Sequence, residues 1–242
     1  NIMPLPKIST PTYELVLPST GKKIKYRPFL VREEKILILA LESEDEKQIA
    51  NAIKNTLKEC IQTRGVKVEN LPTFDIEYLF LNIRGKSVGE SVDLIVTCPD
   101  DGETTVPVKV YIDEIEVVKD KEHTPDIDLD GNLTLRMKYP SLSQFVSSNF
   151  SFDSADEDLD KSFEIIASCI DVIFNEDDAW STSDCTKKEV LTWMEGLNSN
   201  QFKEIEKFFN TMPKLSHTIK VTNPNTKVEN EVVLEGLQSF FG

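Results

Sequence analysis

Alternation is the first regularity along this chain. Tyr13, Leu15 and Leu17 are interleaved with Glu14 and Val16, Pro18-Ser19-Thr20-Gly21 interrupts, and Ile24, Tyr26 and Pro28 follow among lysines. A period of two broken by Pro and Gly predicts a β-hairpin. From Val31 the period lengthens: charged residues at 32–35 precede Ile36, Leu37, Leu39, Ala40 and Leu41, the spacing of a helix. Ser43 and Glu46 stand three apart and predict the capping box of a second helix. That helix carries Ile49, Ile53, Leu57, Cys60 and Ile61 as one apolar stripe opposite a Lys- and Asn-rich face. Thr73 to Arg84 contains Phe74, Ile76, Tyr78, Leu79, Phe80, Leu81 and Ile83. A helix apolar over most of its circumference belongs inside, so this one is expected at the centre of the N-terminal half.

Strand patterns return at Glu90. Val92, Leu94 and Val96 alternate into Pro99-Asp100-Asp101-Gly102, and Val106, Val108 and Val110 lead back, a second hairpin. A third is predicted over Asp126 to Met137, with Ile127 and Leu129 on one side of Asp130-Gly131 and Leu133, Leu135 and Met137 on the other. Beyond Tyr139-Pro140, Ser141 with Gln144 reads as a helix start. Leu159, Phe163, Ile166, Ile170 and Ile173 predict one helix within Asp156 to Phe174. Thr186 with Glu189 caps another, and Asn198 with Gln201 starts a last one that presents Phe202, Ile205, Phe208 and Phe209 and stops at Met212-Pro213. Ile219 and Val221 against Val232 and Leu234, around Asn223-Pro224-Asn225, form a final hairpin before Leu237, Phe240 and Phe241. The fold class expected is α+β: several hairpins with amphipathic helices in two small subdomains, residues 1–120 and 121–242.

Charge narrows the function classes. Against 27 basic residues stand 42 acidic ones, a net charge of −15, so the average surface repels phosphate backbones and anionic headgroups, and nucleic acid is not an expected partner. Lys22, Lys23, Lys25, Arg27, Arg32 and Lys35 form a local exception, read as a solvated contact rim beside an acidic partner. The longest strongly apolar run, Ile36 to Leu41, falls far short of the ~20 residues a spanning helix needs, so no membrane helix is expected. Asn1-Ile2-Met3 reads as an expression remnant ahead of a start at Met3, no signal-peptide layout follows, and a cytoplasmic protein is expected. Cys60, Cys98, Cys169 and Cys185 form no C-x-x-C pair and are expected as reduced, mostly buried thiols.

The chemistry a catalyst needs is thin. His123 and His217 stand in no recognisable motif, and HExxH, GxSxG, Walker A and GxGxxG patterns do not occur. The expectation is no enzyme, no small-molecule substrate and no cofactor, with a hydrolase built on carboxylate pairs as the competing possibility. Asp126-Ile-Asp128-Leu-Asp130-Gly131 mimics the first half of a calcium loop, the basis of an alternative reading as a calcium- or small-ligand-binding module. The twelfth position is Met137 where a bidentate Glu is required, and the alternation says strand. Val96-Thr97-Cys98-Pro99 is weakly echoed by Val221-Thr222-Asn223-Pro224, which would allow two similar hairpins side by side, although a four-residue match easily arises by chance. A zinc ribbon would want a C-x-x-C on each. Asp101, Asn223 and Thr226 occupy the other ligand places, so if the two hairpins pair, packing of their valines and prolines is expected to stand in for metal.

Residues 11–21, with Tyr26-Arg27-Pro28-Phe29-Leu30-Val31-Arg32-Glu33-Glu34-Lys35, resemble the T4-type phage baseplate hub subunit and hub-assembly family. The likeness continues through Phe74-Asp75-Ile76-Glu77-Tyr78, Met137-Lys138-Tyr139-Pro140, residues 208–215 and the ending 234–241, and so covers nearly the whole chain. It implies a component or assembly chaperone of the baseplate hub of a contractile-tailed phage. Such a protein is made in the host bacterial cytoplasm, binds other hub proteins, and brings no catalytic residues. Candidate contact residues are Arg27, Phe29 and Arg32 in the first segment and Leu237, Phe240 and Phe241 in the tail. The tail either anchors in a partner groove or covers its own core.

Overall fold

The computed structural model describes residues 5–150 and 159–240. The chain opens with the antiparallel hairpin β1 (Tyr13–Val16) and β2 (Lys23–Tyr26), in which Leu15 faces Ile24. Helices α1 (Val31–Glu42), α2 (Glu46–Cys60) and α3 (Thr73–Val88) follow. The cap of α2 is Asp45, whose carboxylate accepts from the amides of Lys47 and Gln48 at 2.8 and 3.1 Å. Ser43 instead closes α1, its amide donating to the Ala40 carbonyl, and Glu44 turns the chain with a φ of 53°. The Ser43–Glu46 pair expected as a capping box thus does not form, and Asp45 caps α2 two residues further on. One more residue was needed to turn the chain, and Asp is as good an N-cap as Ser.

As its composition demands, α3 is buried nearly all round, with Phe74, Ile76, Leu79, Phe80, Leu81 and Ile83 inside. Gly85 lies on it where Ile112 presses closest: a Cβ there would stand 2.6 Å from that side chain's terminal carbon. The turn after β1 is tied to the same helix by Ser19, whose amide donates to the buried Asp75 carboxylate at 3.0 Å.

The second hairpin, β3 (Ser91–Thr97) and β4 (Thr105–Tyr111), stands as a two-stranded ribbon, and β5 (Glu116–Val118) follows it. The third, β6 (Asp126–Leu129) and β7 (Leu133–Met137), turns on Asp130 and Gly131, both at positive φ as a tight hairpin turn requires. After α4 (Leu142–Phe150) and α5 (Leu159–Ser168) the expected long helix breaks. Ile170–Phe174 is β8, which pairs antiparallel with β7, and β9 (Ala179–Ser181) extends the sheet in the order β6-β7-β8-β9. Ile170, Val172 and Ile173 fit either pattern, and the open edge of β7 decided for strand. Residues 156–158 of the expected helix lie outside the described residues.

Helices α6 (Lys187–Glu195) and α7 (Ser199–Thr211) begin with the expected reciprocal capping boxes, Thr186 with Glu189 and Asn198 with Gln201. Then β10 (Lys214–Thr222) and β11 (Glu229–Glu235) form the last hairpin, with β5 on the other edge of β10. A short 3-10 turn over Leu237–Phe240 follows.

Among the described residues two large hydrophobic cores result, beside a smaller cluster between two hairpins. One gathers β1, β2, the first three helices, Leu142, Phe145 and Val146 of α4, and Leu215, Leu237 and Phe240. The other packs Ile127, Leu129, Leu135 and Met137 against Val190, Met194, Ile205 and Phe208. A division at residue 120 is therefore crossed twice, by α4 and by the C-terminal hairpin, both of which return to the first core. His123, Tyr139 and Phe208 stack where the two cores meet, with Phe74 of α3 edge-on to Tyr139 at 5.0 Å.

Candidate functional site

The basic segment after β2 folds inward at one residue and outward at the next. Arg27 is buried, and its guanidinium donates to both carboxylate oxygens of Glu33, at 2.8 and 3.2 Å, and to the Pro28 carbonyl at 3.0 Å. Glu33 also accepts from Arg32 Nε at 2.8 Å and from the Leu30 amide at 2.7 Å. Burial raises the Glu33 pKa, but the hydrogen bonds from Arg27, Arg32 and Leu30 outweigh it and hold the carboxyl at about 2. Phe29 is buried against Phe80. Arg27 and Phe29, expected on a contact rim, are thus interior. A guanidinium with a matched carboxylate is stable inside, and Phe29 fills the first core. Arg32 remains outside, with 65% of its side chain exposed.

It is α1 that carries this segment outward. Ala40 and Glu33 face inward, whereas Val31 (81% exposed), Ile36 (48%), Ile38 (56%) and Leu39 (56%) point to solvent beside Arg32 and Lys35. Val88, at the end of α3, is 66% exposed and follows Ser87, whose hydroxyl accepts the Phe29 amide proton at 2.7 Å. This outward apolar face was not singled out from sequence. Its signal was the unbroken Ile36–Leu41 run, since six consecutive apolar residues on a helix point in every direction and one side alone meets the core.

The tail covers its own core. Leu237 and Phe240 are fully buried in the first core, so as surface anchors they are unavailable in this fold. Phe241 lies outside the described residues.

The two echoing hairpins do come together, tip to tip. Cys98, Val96 and Val221 form a small apolar cluster, and above it Asn223 Nδ2 donates to Asp100 and Asp101 at 2.9 and 2.8 Å. The Asp100 amide donates to Asn230 at 2.9 Å, the Asn225 side-chain amide to Thr104 at 3.0 Å, and the Thr226 hydroxyl to the Asp100 carboxylate. The turns match: the Gly102 amide donates to the Cys98 carbonyl as that of Lys227 does to Asn223, each at 2.9 Å and each at positive φ. Hydrogen bonds to Thr104 and Asn223 pull the Asp101 pKa well below the usual carboxylate range. Valine packing thus supplies only the base of this joint, and a polar network supplies its tip.

The Asp126–Asp130 run is a hairpin with each carboxylate engaged separately. Asp126 accepts from Arg136 at 2.8 and 3.1 Å, Asp128 from the Gly131 amide at 2.8 Å, and Asp130 from Gln201 at 2.7 Å. Among the described residues no group of three or more His, Cys, Asp or Glu is arranged to hold a metal ion. Nor is any helix among them long and apolar enough to cross a membrane. Cys60, Cys98 and Cys169 are buried and Cys185 is exposed.

Architecture and clusters together define an α+β protein of small antiparallel sheets packed with helices in two cores. More particularly, residues 10–242 match the model of the family described as T4 bacteriophage base plate protein, nearly the whole chain, and the chain belongs to that family. Comparison with curated proteins and with solved structures gave no match.

Proposed function

We propose that this baseplate protein is a component or assembly factor of the hub of a contractile tail, acting by binding other hub proteins and catalysing no reaction. The observation that carries this is the outer face of α1. Four aliphatic side chains stand in water on a helix whose other side is fixed in the core, flanked by Arg32 and Lys35. Contiguous exposed apolar surface on a folded protein marks a contact site. The polar clusters that resemble ligand sites are engaged in holding hairpins, which leaves surface as the working resource. Assembly in the host bacterial cytoplasm and a place in the virion tail both fit this reading.

Co-expression with the other hub proteins of the same phage tests it. Changing Ile38→Glu and Leu39→Glu together is expected to abolish co-purification while leaving the melting temperature within about 2 °C, because exposed substitutions cost little. Undiminished complex formation would remove α1 as the contact. Mass spectrometry of purified virions against infected-cell lysate then separates the two roles: a structural part persists in the particle, and an assembly factor is found in the lysate only.

A further inference from the structure

Away from α1, a cleft of about 730 Å³ opens among α4, α5, β8 and the start of α6. That is within the range of roughly 300–1,000 Å³ typical of ligand pockets. Ile165, Ala167, Ile170, Val190 and Leu191 contribute an apolar floor. Around it stand Lys138, Lys161, Lys187 and Lys188, all exposed; among the described residues the carboxylate lining it is that of Glu164, with Glu46 reaching Lys161 and Ser147 at its edge. Four lysines about one cleft are out of character in a chain of net charge −15.

Two of them also sit where they cost stability. Lys187 and Lys188 are the first two residues of α6, beyond the Thr186 cap, and positive charge in a first turn opposes the helix dipole. Their charge adds to that of the helix N-terminus and faces the cleft. Lys161 is loosely held, 3.9 Å from Glu46, and among the described residues no ion pair engages Lys138, Lys187 or Lys188.

We infer that this cleft is a docking site for an acidic peptide segment bearing apolar anchor side chains, presented by a partner protein. Carboxylates meet the lysine rim while the anchors cover the aliphatic floor. A nucleic acid fits less well, because among the described residues no aromatic side chain lines the cleft for base stacking and the acidic body repels an extended phosphate backbone. That the partner is another baseplate protein rests on the function proposed above. The ligand chemistry does not, and it is measured without any partner.

The probe is a fluorescein-labelled octapeptide alternating aspartate with leucine, titrated with the full chain and followed by anisotropy. An octapeptide with lysine in place of aspartate and a labelled oligo-dT serve as controls. Binding of the acidic peptide is expected, weakened roughly tenfold by Lys187→Glu with Lys188→Glu, and weakened again at high salt as screening tightens. The double variant is expected to melt no lower than the parent, since glutamate suits a helix first turn. No binding of the acidic peptide, binding indifferent to the charge reversal, or preference for oligo-dT would each overturn the inference. So would binding that appears only after Asp153, Asp156, Glu157 and Asp158 are changed to their amides, which would make the chain's own acidic stretch the occupant. Failure here leaves the α1 test untouched, and the reverse holds.

Discussion

Glu33 accepts four hydrogen bonds from three different residues, and its environment carries a stability statement that can be read against pH. Its folded pKa of about 2 lies below the ordinary 4.5, so protonation favours the unfolded chain. The contribution is complete above pH 4.5 and is lost as pH falls through 2. Urea midpoints across that window should flatten in Glu33→Gln. Glu33→Ala leaves the buried Arg27 guanidinium unpaired, and a cost of about 3–5 kcal/mol is expected. Asn223 is the corresponding residue of the hairpin joint: fully buried, it donates to two carboxylates and accepts from the Asn225 and Thr226 amides. Asn223→Ala should lower the melting temperature by several degrees, at roughly 2–4 °C per kcal/mol for a chain of this size. Added zinc or chelator should shift neither protein. A zinc-dependent rise in the parent would return the joint to the metal ribbons it resembles.

At the scale of elements, the C-terminal 3-10 turn is the clearest case of a segment whose job is set by where it lands. Leu237 and Phe240 complete the first core, more than a hundred residues after most of it has been laid down. Phe240→Ala should cost about 3–5 kcal/mol, read from denaturant unfolding. Deleting residues 236–242 should lower the melting temperature sharply. Loss of partner binding at unchanged melting temperature would instead make the tail a docking element. The helix starts were legible because a capping box is local: Thr186–Glu189 and Asn198–Gln201 need nothing beyond their own four residues. Strand β8 was not, because Ile170, Val172 and Ile173 satisfy helical and strand spacing alike, and only the presence of β7 alongside decides.

For the whole molecule, the seam between the two cores runs through His123. The Thr211 hydroxyl donates to the Lys207 carbonyl, so His123 Nδ1–H donates to Thr211 at 2.9 Å, and Nε2 meets the Tyr139 hydroxyl at 2.8 Å. Burial, with Lys119 nearby, depresses the ring's pKa below 6.5. Because the folded state resists the proton, stability is expected to fall as pH drops below 6.5, a window well above that of Glu33. Urea midpoints between pH 7.5 and 5.5 should show a slope that His123→Gln removes. An unchanged slope would place the proton elsewhere.

The sequence by itself determined what is local or periodic: the four hairpins, the buried α3, the caps of α6 and α7, and the family likeness that runs along nearly all the chain. Side-chain alternation, turn chemistry and capping depend on neighbours a few residues apart, so they are written directly in order. What only the tertiary structure decided is which side of each element meets the rest. It buried Arg27 and Phe29 while leaving Arg32 out, turned Ile36, Ile38 and Leu39 to solvent, seated Leu237 and Phe240 in the first core, and gathered four lysines around one cleft. These outcomes depend on contacts between residues far apart in sequence, where desolvation and packing weigh one face against another and no local spacing carries the answer.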